Sequence, residues 1–259
     1  MNIRMIGYGR LAKALASQWV KTHRVMVSSP SQIHACLENG IETRNCNLKD
    51  LEDADVIILA VKPAKLTEVM IELSAVIPKD TLIISLAAGV TLAHLKNICP
   101  THLPIIRAMP NINAQVQASA TLLLKDNPLS QKHMQIVETL FLSLGSIDWA
   151  LNDDALDIGT ILAGSGPAYV FYLMEALQQS AMHLGMSEDL AKKLIVQTFL
   201  GSAKLAHEKD ICFQDFIAQV ASPQGTTAAA LEVMKSQEIP KSLDKAIQAA
   251  WQRILSLRA

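Results

Sequence analysis

Six residues near the start of the chain, Gly7-Tyr8-Gly9-Arg10-Leu11-Ala12, read G-x-G-x-x-A. The apolar run Asn2–Ile6 precedes them and a helical pattern beginning at Leu11 follows. Strand, glycine turn and helix in that order suit the pyrophosphate of a dinucleotide. The glycines let backbone approach the anion, Ala12 lets helix and strand pack closely, and the helix start offers unpaired N–H groups. A bare glycine turn would share the motif, but strand and helix supply the context that a binding turn requires. About twenty residues further on, an NAD site would carry Asp or Glu for the ribose hydroxyls. Here Ser28-Ser29-Pro30-Ser31 stands in that place, with no acid. Loss of the carboxylate removes repulsion against a 2′-phosphate, so the expected cofactor is NADP(H), with NAD(H) as the alternative.

Other segments bear on chemistry less directly. Ser222-Pro223-Gln224-Gly225-Thr226-Thr227 leads into the apolar pattern 228–234, and a helix starting there would aim N–H groups at an anion. Plain helix capping uses the same residue types. Gly164-Ser165-Gly166-Pro167 reads equally as a helix–helix turn with Pro167 in a first helical position. Lys62 precedes Pro63, which forces it extended at a strand end. Arg107 reads as an ion-pair or cap residue, and Asp153, Asp154 and Asp157 as a helix N-terminal turn favoured by the dipole. The seven histidines are scattered, with no H-E-x-x-H, so no metal site is expected.

The elements that must position these residues fall into two sets. Asn2–Ile6, Arg24–Ser28, Asp55–Val61, Thr81–Leu86, Ile105–Ala108 and 120–124 read as strands. Helical patterns at Leu11–Lys21, Ser31–Asn39, Leu66–Val76, Thr91–Ile98 and Gln131–Leu144 alternate with them. The run Val56–Val61 is apolar on both faces, which suits a parallel sheet covered by helices. The alternation predicts right-handed crossovers and a doubly wound sheet. After about Trp149 only helical periodicity remains, as in Leu173, Leu177, Ser180 and Leu184. The expected fold is α/β: a dinucleotide-binding Rossmann-type domain at 1–150, then an all-α domain at 151–259.

Composition sets the limits. The chain has 259 residues, 50% hydrophobic and only 18% charged, against a usual charged share of about 25%. That balance leans towards an oligomer hiding apolar faces. With Lys plus Arg at 23 and Asp plus Glu at 24, there is no broad basic surface for nucleic acid or acidic membranes. Four cysteines without a C-x-x-C pair, no stretch of 18 apolar residues and no signal-peptide pattern point to a cytoplasmic protein.

Five segments fit no general rule but share one order and spacing. They are Ala60-Val61-Lys62-Pro63, Ser85-Leu86-Ala87-Ala88-Gly89-Val90, Arg107-Ala108-Met109-Pro110-Asn111, Ala163-Gly164-Ser165-Gly166-Pro167-Ala168-Tyr169 and Ser222-Pro223-Gln224-Gly225-Thr226-Thr227. With the opening turn, and over essentially the whole chain, they resemble the pyrroline-5-carboxylate reductase family. The resemblance implies NADPH-dependent reduction of a cyclic imine to L-proline, and a helical dimerisation domain interlocked with a second subunit. It implies that Gly7, Tyr8, Gly9, Arg10, Leu11 and Ala12 hold the pyrophosphate. Ser28 and Ser29 would lie by the ribose phosphate and Asn47 by the adenosine. Ala60, Val61, Lys62, Pro63, Ala87 and Ala88, with Asn111 close by, would line the nicotinamide. Ser222, Pro223, Gln224, Gly225, Thr226 and Thr227 would hold the substrate between the two domains and across a dimer, with Thr227 near the imine nitrogen.

Three departures from the family pattern stand out, at four positions. Ile112 and Asn113 replace Thr and Pro after Met-Pro-Asn, Gln224 replaces the first glycine of Ser-Pro-Gly-Gly, and Leu11 replaces Met. The first two lie on the expected substrate side. They keep open reduction of a related imine, or a cofactor-binding member with a regulatory role. A 3-hydroxyacid dehydrogenase of the same plan would carry a catalytic lysine in the first long helix of the second domain. Asp154–Leu184 contains none.

Overall fold

A computed structural model describes residues 1–32, 35–37, 39–125 and 129–258. The chain divides into two compact units, Met1–Pro167 with Ala250–Ala259, and Ala168–Ala249. The change from strands to helices comes at Trp149, whereas the first unit runs on to Pro167 and takes back the last residues of the chain.

The first unit is built on one sheet. Among the described residues it has nine strands: β1 (Asn2–Ile6), β2 (Arg24–Ser28), β3 (Ala35–Cys36), β4 (Glu42–Arg44), β5 (Val56–Leu59), β6 (Leu82–Ser85), β7 (Ile105–Met109), β8 (Ser119–Lys125) and β9 (Gly145–Trp149). Their order is β3-β4-β2-β1-β5-β6-β7-β8-β9. The strands from β4 to β7 run parallel, β7 and β8 are antiparallel, and β9 is parallel to β8. Helices α1 (Arg10–Trp19), α2 (Pro63–Ser74), α3 (Leu92–Ile98) and α4 (Gln131–Leu142) connect them.

Two apolar cores lie among these layers. One gathers Ile3, Met5, Leu15, Trp19, Val25, Val27, Ile58 and Phe141. The other gathers Ile6, Ile57, Leu59, Leu66, Met70, Ile83 and Leu95. Alternate residues of β5 and β6 serve alternate cores, so both strands are buried along their whole length. That is the physical content of the unbroken apolar run at 56–61.

One expected element differs. The segment 31–39 was expected to be helical; its residues 33, 34 and 38 lie outside the described residues. Ala35–Cys36 instead forms β3, antiparallel to β4, with Ala35 opposite Thr43 and Cys36 opposite Glu42. The connection is a tight turn in which Gly40 N–H donates to the Leu37 carbonyl and Gly40 takes φ +85. Ile41, fully buried, anchors the turn to the core. The open edge of the sheet offers Ala35 and Cys36 backbone partners on β4.

Past β9 come α5 (Asp153–Gly159), a π-helical turn (Thr160–Gly164) and the start of α6 (Gly166–His183). Asn152 caps α5, its side chain accepting from Ala155 N–H at 2.9 Å. The second unit holds most of α6, then α7 (Glu188–Glu208), α8 (Phe213–Val220), α9 (Thr226–Ser236) and the first part of α10 (Ile239–Leu255). These helices bury little among themselves: α8 and α9 have no buried residue, and α7 has only Ala191. No helix among the described residues is long and apolar enough to cross a membrane.

Candidate active site

The glycine turn is fixed by its neighbours. Gly7 takes φ +100, and its N–H donates to the Ser28 carbonyl at 2.8 Å. A Cβ on Gly7 would stand 2.5 Å from the Ala60 carbonyl oxygen. Three strand ends, β1, β2 and β5, therefore meet at one point that only glycine can occupy. Beside it Gly9 has open space where a Cβ would be. Gly9 opens α1 without a side-chain cap, and the first turn of α1 carries no acid. Free amides, open volume and the positive end of a helix are what a pyrophosphate needs, so these residues fit a dinucleotide. Ala12 is buried against the core, Leu11 is half-buried, and Arg10 is exposed. The half-buried Tyr8 lies 5.3 Å beneath Lys13 Nζ, and burial pushes its phenol above the ordinary value, so it carries no charge toward an anion.

At the end of β2, buried Ser28 donates its hydroxyl to Asn47 Oδ1 at 2.8 Å. Asn47 Nδ2 in turn donates to Glu72 at 3.0 Å. The Ser29 N–H donates to the Arg44 carbonyl at 3.0 Å, and its hydroxyl lies 3.2 Å from Ser31. The structure thus brings Ser28, Ser29 and Asn47 together. It also brings Lys49, which lines a small cavity with Ser28 and Asn47. Sequence reasoning missed Lys49, since it lies 21 positions beyond Ser28 and only the passage of β4 alongside β2 folds it back.

The other cofactor-side candidates stand at the carboxyl ends of β5, β6 and β7, where open α/β sheets bind ligands. Ala60 N–H continues the ladder to Ile6 at 2.8 Å, and Val61 is half-buried. Lys62 is exposed and extended (ψ 146) as the residue before Pro63, which opens α2. Ala87 is buried and its N–H donates to Ser85 Oγ at 3.3 Å. Ala88 is half-buried. Asn111, just past β7, is 5% exposed. Its Oδ1 accepts from Asn113 N–H at 3.0 Å, and its Nδ2 donates to the Ala163 carbonyl at 3.0 Å. The Ala163 carbonyl has no helical donor four residues on, because that position is Pro167, and Asn111 takes it; single π turns such as this one are often found at functional sites.

In the second unit, Ser222 to Gly225 form a turn in which Gly225 N–H donates to the Ser222 carbonyl at 3.1 Å. Gln224 sits in it at φ +60, a left-handed conformation, so this is the turn position that a glycine fits without strain. Gly225 opens α9 without a side-chain cap, followed by exposed Thr226 and half-buried Thr227. Thr227 lines a groove of about 630 Å³ with Phe199, Phe213, Phe216, Val220 and Leu231 among others; none of the lining residues is ionisable.

Comparison with known proteins bears on this arrangement. The family profile described as pyrroline-5-carboxylate reductase dimerisation matches residues 153–257, and one described as NADP oxidoreductase, coenzyme F420-dependent, matches 2–89. A pyrroline-5-carboxylate reductase of Pasteurella multocida is 37% identical over 97% of this chain and 96% of its own length. The chain belongs to the pyrroline-5-carboxylate reductase family. Pyrroline-5-carboxylate reductase 1 of Bacillus subtilis is 30% identical over 97% of the chain and 88% of its own length. The solved structure of the family member from Coxiella burnetii superimposes with a TM-score of 0.86 at 32% identity, covering 100% of this chain and 98% of that one. The NADP-bound pyrroline carboxylate reductase of Plasmodium falciparum shares the fold, with a TM-score of 0.91 at 23% identity, over 100% of this chain and 98% of its own. Against the family pattern, Ile112 and Asn113 open a 3-10 turn (Ile112–Val116) that Asn111 caps.

Proposed function

We propose that this chain reduces the cyclic imine 1-pyrroline-5-carboxylate to L-proline with NADPH, the last step of proline synthesis. The observation that carries the reading is the 37% identity with a named pyrroline-5-carboxylate reductase along 97% of the chain. The reaction adds hydride to the imine carbon and a proton to the imine nitrogen, and the nicotinamide supplies the hydride. The remaining tasks fall to side chains and amides of the chain.

Gly7 to Ala12 and the start of α1 bind the pyrophosphate. Ser28 and Ser29 hold the adenosine ribose phosphate and Asn47 contacts the adenosine, with Lys49 as a nearby cation. No carboxylate ends β2, which supports NADP(H) over NAD(H). Ala60 to Pro63 with Ala87 and Ala88 line the nicotinamide half, at the carboxyl ends of β5 and β6. Asn111 holds the π turn beside it through Ala163. The substrate side is Ser222 to Thr227: the uncapped amides of α9 and the hydroxyls of Thr226 and Thr227 receive the substrate carboxylate. Thr227 hydrogen-bonds the imine nitrogen and passes it a proton, directly or from water.

We also assign a homodimer as the minimal assembly, supported by the exposed apolar faces of α7 to α9. A cytoplasmic location accords with four free cysteines, Cys36, Cys46, Cys99 and Cys212. The reading is tested by Thr227→Ala. Loss of a positioned proton-transfer group lowers turnover by about 10²-fold, with NADPH affinity unchanged in a fluorescence titration. Turnover equal to wild type removes Thr227 from the catalytic set.

A further inference from the structure

Within the first unit, one fully buried carboxylate gathers three separate segments. Asp157 is 0% exposed and has a guanidinium on each oxygen. Its Oδ1 accepts from Arg107 Nη2 at 2.7 Å, and its Oδ2 from Arg258 Nε at 2.9 Å. Arg258 also pairs with Asp154 at 2.6 Å and lies 5.4 Å from the Trp251 ring centre. Arg107 pairs further with Asp153, and Asp153 accepts the Leu92 N–H at 3.1 Å. So β7, α5 and the stretch after α10 are tied at one point.

That stretch touches the loop after β6. Gly89 takes φ +72, and a Cβ there would stand 3.0 Å from Leu257 Cβ and 3.3 Å from the Ile254 carbonyl. The loop from Ala87 to Leu92 is therefore held twice. Leu257 presses on its middle at Gly89, and Asp153 takes the amide at its end. Both contacts trace back to the same ion cluster.

We propose that Arg258 is a positioning residue for hydride transfer: by locking residues 254–258 onto Asp157, it sets the Ala87–Val90 loop against the nicotinamide, the hydride donor. The proposal rests on the reading of Ala87 and Ala88 as nicotinamide-lining. Stability alone is a weak reason for such a cluster, because a buried ion pair exchanged for apolar residues is often neutral in stability. The asymmetry of the cluster makes the role testable. Removing Arg258 takes the partner from Asp157 Oδ2 but leaves Oδ1 paired with Arg107. Removing Asp157 would take the shared anion from both arginines at once, leaving Arg107 with Asp153 and Arg258 with Asp154.

The test is Arg258→Ala in the full chain, read two ways. In the cofactor-free protein, amide hydrogen exchange at residues 88–92 should rise by about tenfold or more, with β1 and β5 unchanged. In turnover, kcat should fall by about tenfold or more while NADPH affinity, set by the glycine turn, stays the same. The deuterium isotope effect from 4-deuterated NADPH should grow as hydride transfer becomes limiting, and millimolar guanidinium should restore part of kcat. Unchanged exchange at 88–92 overturns the proposal. So does exchange that rises across β1 and β5 as well, since that is general loosening. A wild-type protein that binds NADPH but does not turn over the imine would overturn the proposed function instead, and the exchange experiment would still decide the clamp.

Discussion

Gly7 is constrained twice over, by its backbone angle and by its neighbours. Its φ of +100 costs any L side chain about 1–2 kcal/mol, and a Cβ would collide with the Ala60 carbonyl at 2.5 Å. Gly7→Ala must therefore push β1 and β5 apart at the proposed pyrophosphate turn. The expected result is at least a tenfold weaker NADPH dissociation constant, about 1.4 kcal/mol, measured by fluorescence titration. An unchanged constant would mean that the turn does not cradle the cofactor. Gln224 makes the opposite point, since a non-glycine residue there is held at φ +60. The turn keeps its Ser222–Gly225 hydrogen bond despite the substitution. At this scale the glycine turn was legible in the sequence because its spacing comes with a strand before it and a helix after it. Lys49 and the double use of the Asn111 side chain were not, because each depends on which strand end lies alongside.

The elements divide by how much of their stability is local. Strands β1, β2, β5 and β6 and helices α1 and α2 were legible because their apolar period and their glycine or proline boundaries are written in sequence. The β3–β4 hairpin was not, because pairing at a sheet edge decides it. The π turn was not legible either: it is held through Asn111, 52 positions from Ala163. Helices α7 to α9 are a third case. Their apolar residues have helical spacing, yet they stay exposed, with Leu200 at 60% and Phe213 at 76%. Such faces mark an association surface. Leu200→Asp should weaken the proposed dimer by about 100-fold or more, since a charge buried in an apolar interface costs several kcal/mol. Sedimentation of the variant should show monomer at micromolar concentration where the parent is a dimer or larger. Identical sedimentation would remove this face of α7 from the interface.

For the whole molecule, a dinucleotide turn, a helical association unit and a threonine-led helix start occur in one chain of 259 residues. Family membership joins them into one activity, and the departures at Ile112, Asn113 and Gln224 are the places where that activity could have been lost. The fold tolerates all three: Ile112 and Asn113 form a capped 3-10 turn, and Gln224 keeps a closed turn. The most direct measurement is oxidation of NADPH by the purified chain, followed by absorbance with and without 1-pyrroline-5-carboxylate, with proline identified as product. The account predicts substrate-dependent oxidation and one proline formed per NADPH consumed. NADPH binding without imine-dependent oxidation would contradict it.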